Sequence, residues 1–209
     1  MAAGAAPERS GPGGALDLLP LVAARPTEAL ARARAILAQA PGPSQASIAH
    51  QVIGLVLRDF GDLDDAVREL RAALRFARSA GARDREADIL ATLGVALVHR
   101  GRGSQGLAAL DSSLGLVRGA AVGRALYRRG CAFWLLGRHR EALEDLGKAL
   151  RVLRPACDTL WEARALTARA LVHLACGSAR RAGTDLDRAE RLFATTSQEL
   201  EVAFTWHNR

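Results

Sequence analysis

The sequence predicts an all-α chain, an α-solenoid of antiparallel helix pairs. Three observations carry that expectation. One spaced pattern recurs four times, apolar residues recur at three- and four-residue spacing, and the period-two alternation of a strand is almost absent. The pattern steps seven, five, four and three residues from a small residue: Gly54, Gly61, Ala66, Leu70 and Ala73. The second copy runs Gly94, Gly101, Gly106, Leu110, Ser113, and the third Gly130, Gly137, Ala142, Leu146, Ala149. The fourth runs Ala170, Gly177, Ala182, Leu186, Ala189. Of the 209 residues, 49% are hydrophobic and 24% charged, a balance suited to a folded core and not to general disorder.

Along the chain, residues 1–14 (MAAGAAPERSGPGG) read as a disordered leader with no apolar stretch of a signal peptide. A degenerate opening unit is expected over 15–39: a helix in ALDLLPLVAA, a break at Arg25-Pro26, then Thr27 capping EALARARAIL. Full units are expected at about 47–78, 87–118, 123–154 and 163–193, within one array running from 15 to 209. In the first helix of each unit, Ile53 and Leu57, or Leu90, Leu93 and Leu97, form one apolar face. The small residue sits where two backbones approach closely. The turn glycines 61, 101, 137 and 177 supply the positive φ that ends the first helix. Acids such as Asp62, Asp64 and Asp65 then suit the positive end of the second helix. One further step of 40 from Ala170 would pass Arg209, so 197–209, with Leu200, Val202, Phe204 and Trp206, reads as a truncated half-repeat.

This spacing resembles the tetratricopeptide repeat (TPR), over roughly residues 47–193. The resemblance implies a right-handed superhelix whose first helices line a concave binding face. Three features depart from the family pattern. Arg129 and Arg169 stand where a buried aliphatic is usual, Gly106 replaces an alanine, and the units of 36–40 residues exceed the usual 34. Phrases such as HREALEDLGKALRVLR and the closing HNR also look like the N-terminal arrays of actinobacterial CHAT-domain (caspase-like) proteins. That likeness implies a sensor or scaffold that receives a partner and controls an effector, and makes a fragment lacking its peptidase domain an alternative.

Several motifs invite a chemical reading and are better explained by the repeat. Gly101–Gly106 matches the G-x-G-x-x-G dinucleotide fingerprint, but a helical face precedes it where the fingerprint needs a strand. Cys176 beside His173 imitates a nucleophile segment, yet His173 holds an apolar-face position equivalent to Leu57, Leu97 and Phe133. The five histidines show no ligand spacing, and Asp62, Asp64 and Asp65 lack the glycine and distal glutamate of a calcium loop. No metal, cofactor or catalytic residue is therefore expected. Cys131, Cys157 and Cys176 form no disulfide framework, which suits a reducing cytoplasm. No apolar run is long enough to span a bilayer. Trp134, Trp161 and Trp206 read as packing residues between helices.

Function is then expected on the first-helix face, as a non-enzymatic module binding a peptide or partner helix. By register the candidate contacts are Gln51, Leu55 and Arg58 in the first full unit, and Asp88, Val95 and His99 in the second. Arg124, Tyr127, Arg128 and Trp134 follow in the third, and Arg164 and Thr167 in the fourth. A small-molecule-sensing domain is the alternative, and an apolar pocket around Tyr127, Phe133 and Trp134 would favour it. The net charge of +7 lies entirely within residues 100–154, where eleven basic residues face four acids. An acidic protein partner near Arg124 and Arg128 is the sharper expectation. Nucleic acid is the weaker one, because only 4% of residues are aromatic. Reversing both arginines to Glu is expected to abolish binding and leave the helices intact.

Overall fold

The computed structural model describes residues 18–195, and these form ten α-helices with no strand among the described residues. The leader and the 197–209 segment lie outside the described residues. The fold is an all-α helical-repeat solenoid. Its helices fall into two compact units, one ending at Ala82 and the other beginning at Arg83.

In the first unit, α1 (Leu18–Ala24) and α2 (Pro26–Ala38) precede α3 (Pro43–Phe60) and α4 (Leu63–Ser79). Leu18, Val22, Ala29 and Ala33 meet Ile48, Ala49, Val52, Ile53 and Val56 of α3 in one core. The break falls at Arg25-Pro26, but the capping expectation for Thr27 is corrected: Arg25 is the N-cap residue and Pro26 opens α2. Proline needs no N–H partner there and its fixed φ already suits a helix, so the helix starts two residues earlier. Across the next pair, the His50 ring stacks on Phe76 at 5.3 Å between centroids, and its Nδ1 lies 2.6 Å from Glu69 Oε2.

The second unit holds three pairs: α5 (Arg83–His99) with α6 (Gly103–Leu116), α7 (Ala120–Leu135) with α8 (His139–Leu153), and α9 (Thr159–Ala175) with α10 (Ala179–Thr195). Leu110, Leu146 and Leu186 are fully buried or nearly so, and each sits against the small residue of its first helix. A methyl group at Gly94 would come within 2.6 Å of Leu110 Cγ, and one at Gly130 within 2.8 Å of Leu146 Cγ. At the fourth site Ala170 supplies a methyl, packed with Ala182 and Leu186. In the first unit Gly54 and Ala66 meet in the same way, with Leu70 2.7 Å from a methyl placed at Gly54.

Each first helix ends alike. Gly61, Gly101, Gly137 and Gly177 have φ between 71° and 91°, the left-handed region that side chains resist. The residue after each glycine donates its N–H to the carbonyl five residues back: Asp62 to Leu57, Arg102 to Leu97, Arg138 to Phe133 and Ser178 to His173, at 2.8–2.9 Å. Carbonyls that the helix leaves unpaired are thereby satisfied. The long repeat comes from long helices, not long links: the stretch from Ala77 to Glu86 is mostly helical, with only residues 80–82 outside.

Candidate functional site

The two arginines that depart from the family pattern are structural. Arg129 reaches from α7 to α8, where its Nε and Nη2 donate to the two Asp145 carboxylate oxygens at 2.6 and 3.0 Å. Its Nη1 donates to Asp111 of α6 at 2.6 Å. Forty residues on, Arg169 makes the same two-point pair with Asp185 at 2.7 and 2.6 Å. Asp145 and Asp185 are 3% and 6% exposed, so each charge is taken from water only because a planar fork of donors meets it. The hydrogen bond to Asp145 raises the Arg129 pKa above its ordinary value, against the effect of burial. The charge of these two arginines is thus matched within their own helix pairs.

A second group gathers on the first-helix face of the second unit, around Trp161 in the first turn of α9. The guanidinium carbons of Arg124 and Arg128 (α7) and Arg164 (α9) lie 5.8, 5.0 and 5.1 Å from its ring centroid. Tyr127 meets the same ring edge-on at 5.5 Å. Each α7 arginine is steadied by a carboxylate: Arg124 Nε donates to Asp158 Oδ2 at 2.7 Å, and Arg128 Nη1 to Asp88 Oδ1 of α5 at 2.8 Å. Cation–π contact and a single hydrogen bond hold each guanidinium in place. A small cavity of about 190 Å³ opens beside it, lined among others by Asp84, Asp88, Ser113, Arg124 and Arg128.

The remaining candidate residues divide by exposure. Leu55, Arg58, Val95 and Trp134 are half-buried and His99 is exposed. Arg58 pairs with its neighbour Asp59. Gln51 and Thr167 are 1% and 5% exposed, and the Thr167 hydroxyl donates to the Ala163 carbonyl. Both therefore lie buried in the array, unlike the other candidates. Tyr127, Phe133 and Trp134 pack against Ala142, Leu146, Ala168 and Val172. Trp161 itself is legible in the sequence only as a packing residue. Its place is signalled by register, since residues 121 and 161 are equivalent and Arg124 and Arg164 follow each by three.

The motifs set aside from sequence have structural places. A methyl at Gly106 would lie 2.6 Å from the Gly94 carbonyl oxygen, and one at Gly103 2.8 Å from Leu136, so these glycines serve helix packing. Cys176 is the exposed C-cap of α9, while burial pushes the Cys131 thiol up to about 12 despite Tyr127 and Arg128. Partial burial lowers the His173 pKa, opposed by Asp185. Among the described residues no cluster of three or more His, Cys, Asp or Glu could hold a metal, and no helix is long and apolar enough to cross a membrane.

Comparison with known proteins agrees with the fold. A tetratricopeptide repeat model matches residues 123–152, the α7–α8 pair. No curated protein matches the sequence. Among solved structures, BtubC (BKLC) from P. vanneervenii is similar with a TM-score of 0.60 and 17% identity, over 87% of this chain and 75% of that one. A Podosopora anserina protein described as a putative kinesin light chain, with nearly identical TPR-like repeats, is similar with a TM-score of 0.60 and 13% identity, over 88% and 95%. MamA follows at 0.52 and 18%, over 81% and 90%. Identities this low establish a shared fold and nothing further. The chain carries a TPR-like fold.

Proposed function

We propose that this chain is a non-catalytic interaction module, and that the α5–α7–α9 face holds an acidic peptide segment of a partner protein. The observation that carries the reading is the convergence of Arg124, Arg128 and Arg164 on Trp161. A guanidinium has five N–H donors. Asp158 and Asp88 occupy one nitrogen each on Arg124 and Arg128, which orients the fork for an incoming carboxylate. Donors already oriented lose less conformational freedom on binding than free arginines would. The CHAT-type affiliation belongs to the same proposal in its wider form, and a caspase-like domain encoded downstream of Arg209 would be its signature.

The test is binding of a fluorescein-labelled Asp/Glu-rich peptide, read by anisotropy. Neutralising Arg124→Gln and Arg128→Gln together should weaken it about ten-fold or more, as expected for losing two charge-assisted contacts. Unchanged affinity would overturn the proposal. Neutralisation is a cleaner probe than reversal to Glu, because a new carboxylate would confront Asp158 and Asp88. Duplex DNA that bound more tightly than the peptide, and collapsed between about 50 and 200 mM salt, would favour a nucleic-acid partner instead.

A further inference from the structure

The cavity lined by Arg124 and Arg128 exists because one repeat uses smaller residues than the next. Its walls come from α5 and α7, which lie against one another, and from the end of α6. The steps that relate Gly94, Gly130 and Ala170 carry Val117 onto Leu153 and Ala121 onto Trp161. Leu153 is fully buried, and Trp161 packs on the same core and lies over Arg124, the equivalent of Asp88. With valine and alanine at 117 and 121, the space over Asp88 that an indole would fill stays open, at about 190 Å³. Four charges line it in two helical pairs. Asp84 and Asp88 stand one turn apart on α5, and Arg124 and Arg128 one turn apart on α7. Arg128 Nη1 donates to Asp88 Oδ1 at 2.8 Å. Asp84 and Arg124 are exposed, so the space is open to solvent. The rest of the lining is aliphatic apart from Ser113, whose hydroxyl is spent on the Ala87 carbonyl.

We propose that this cavity binds a free α-amino acid with a small side chain. Two carboxylates and two guanidiniums leave the lining without net charge, so a simple ion of either sign is poorly matched. A lone anion would face Asp84 and Asp88, and a lone cation would face Arg124 and Arg128, with like charges opposed in a partly dry space. A zwitterion meets both. Its ammonium donates to Asp84 and Asp88, and its carboxylate accepts from Arg124 and Arg128. The contact of Asp88 with Arg128 brings the two signs within one hydrogen bond of each other, which is the spacing of an ammonium and a carboxylate on one α-carbon. The volume is that of about six waters, enough for alanine, serine or valine and too little for a peptide. The aliphatic wall receives the side chain. Amino-acid binding here is independent of the acidic-peptide reading: the two share Arg124 and Arg128, but the amino acid is measured with no peptide present.

The experiment is isothermal titration calorimetry of the full chain with L-alanine, L-serine and L-valine. At least one should bind one-to-one with a Kd of about 1 mM or tighter. Its N-acetyl form, which lacks the ammonium, and its amide, which lacks the carboxylate, should each bind at least about ten-fold more weakly. Asp84→Asn should weaken the amino acid by about ten-fold as well. Ala121→Trp copies the next repeat into the cavity and should abolish binding, with circular dichroism checking that the helices are kept. Asp84 is exposed, so its variant serves as the test should the tryptophan variant fail to fold. No saturable binding of any of the three amino acids up to about 10 mM would overturn the proposal. So would an N-acetyl form that binds equally well, which would mark a plain anion site, or a folded Ala121→Trp variant that still binds.

Discussion

The α5–α6 and α7–α8 pairs share one repeat register and are joined by different physics. In α5–α6 the first helix is apolar throughout its inner face: Ile89, Leu90, Leu93, Ala96 and Leu97 are all buried. Its partner contributes Gly106, Leu110 and Ser113, and the Ser113 hydroxyl donates to the Ala87 carbonyl at 2.7 Å. The backbones come so close at Gly94 and Gly106 that neither position has space for a methyl. In α7–α8 the equivalents of Leu93 and Ala109 are Arg129 and Asp145, and the equivalent of Gly106 is Ala142. One pair is closed by fit, the other by a half-buried ion pair. The α9–α10 pair repeats the second solution with Arg169 and Asp185. A helical repeat therefore constrains where contact occurs far more than which interaction fills it.

Breaking the ion pair on one side gives the largest expected effect. Asp145→Ala leaves the Arg129 guanidinium with only the exposed Asp111, and should cost about 3 kcal/mol of unfolding free energy in urea. Adding Arg129→Leu rebuilds the Leu93–Ala109 combination of α5–α6, and the double variant should return to within about 1 kcal/mol of the parent. No recovery would mean that the two pairs are not interchangeable. Next comes Gly106→Ala, which drives a methyl toward the Gly94 carbonyl and Val98. Overpacking outweighs the gain in helix propensity, for a net loss of about 1–2 kcal/mol. The reverse change in the other pair, Ala142→Gly, should cost about 1 kcal/mol from propensity and lost contact.

The smallest effect belongs to His173, beside the Arg169–Asp185 pair. Burial holds its pKa below the usual 6.5, so the unfolded chain binds the proton more readily. Stability should be unaffected by this group above pH 6.5 and decline slightly as pH falls from there through the folded pKa. An NMR titration of the imidazole should give a midpoint below 6.5. A midpoint above it would show that Asp185, and not burial, governs the ring.

Elements that depend on short-range spacing are legible in the sequence. Leu70, Leu110, Leu146 and Leu186 read as core from their place in the repeat, and Gly61, Gly101, Gly137 and Gly177 read as turns because only glycine takes positive φ freely. Arg129 and Arg169 are not legible in this way. An arginine on a buried face looks like a defect until its carboxylate, sixteen residues on, is brought across the helix pair. The first-helix face is readable as a set of positions, but Gln51 and Thr167 belong to that set by register and are nevertheless buried.

What the amino-acid sequence determined by itself is the repeat: helices of period 3.6, glycine-ended turns, and small residues at the crossing points. These follow from backbone geometry and from side chains within one turn of each other. Tertiary structure alone decided which charges are spent internally and which surround Trp161. Arg124, Arg128 and Asp88 come from two different helices and Trp161 and Asp158 from a third helix and the link before it. Only the stacking of whole helix pairs sets the distances between them, and at about 3–6 Å those distances decide whether a guanidinium is neutralised, stacked or offered to a partner.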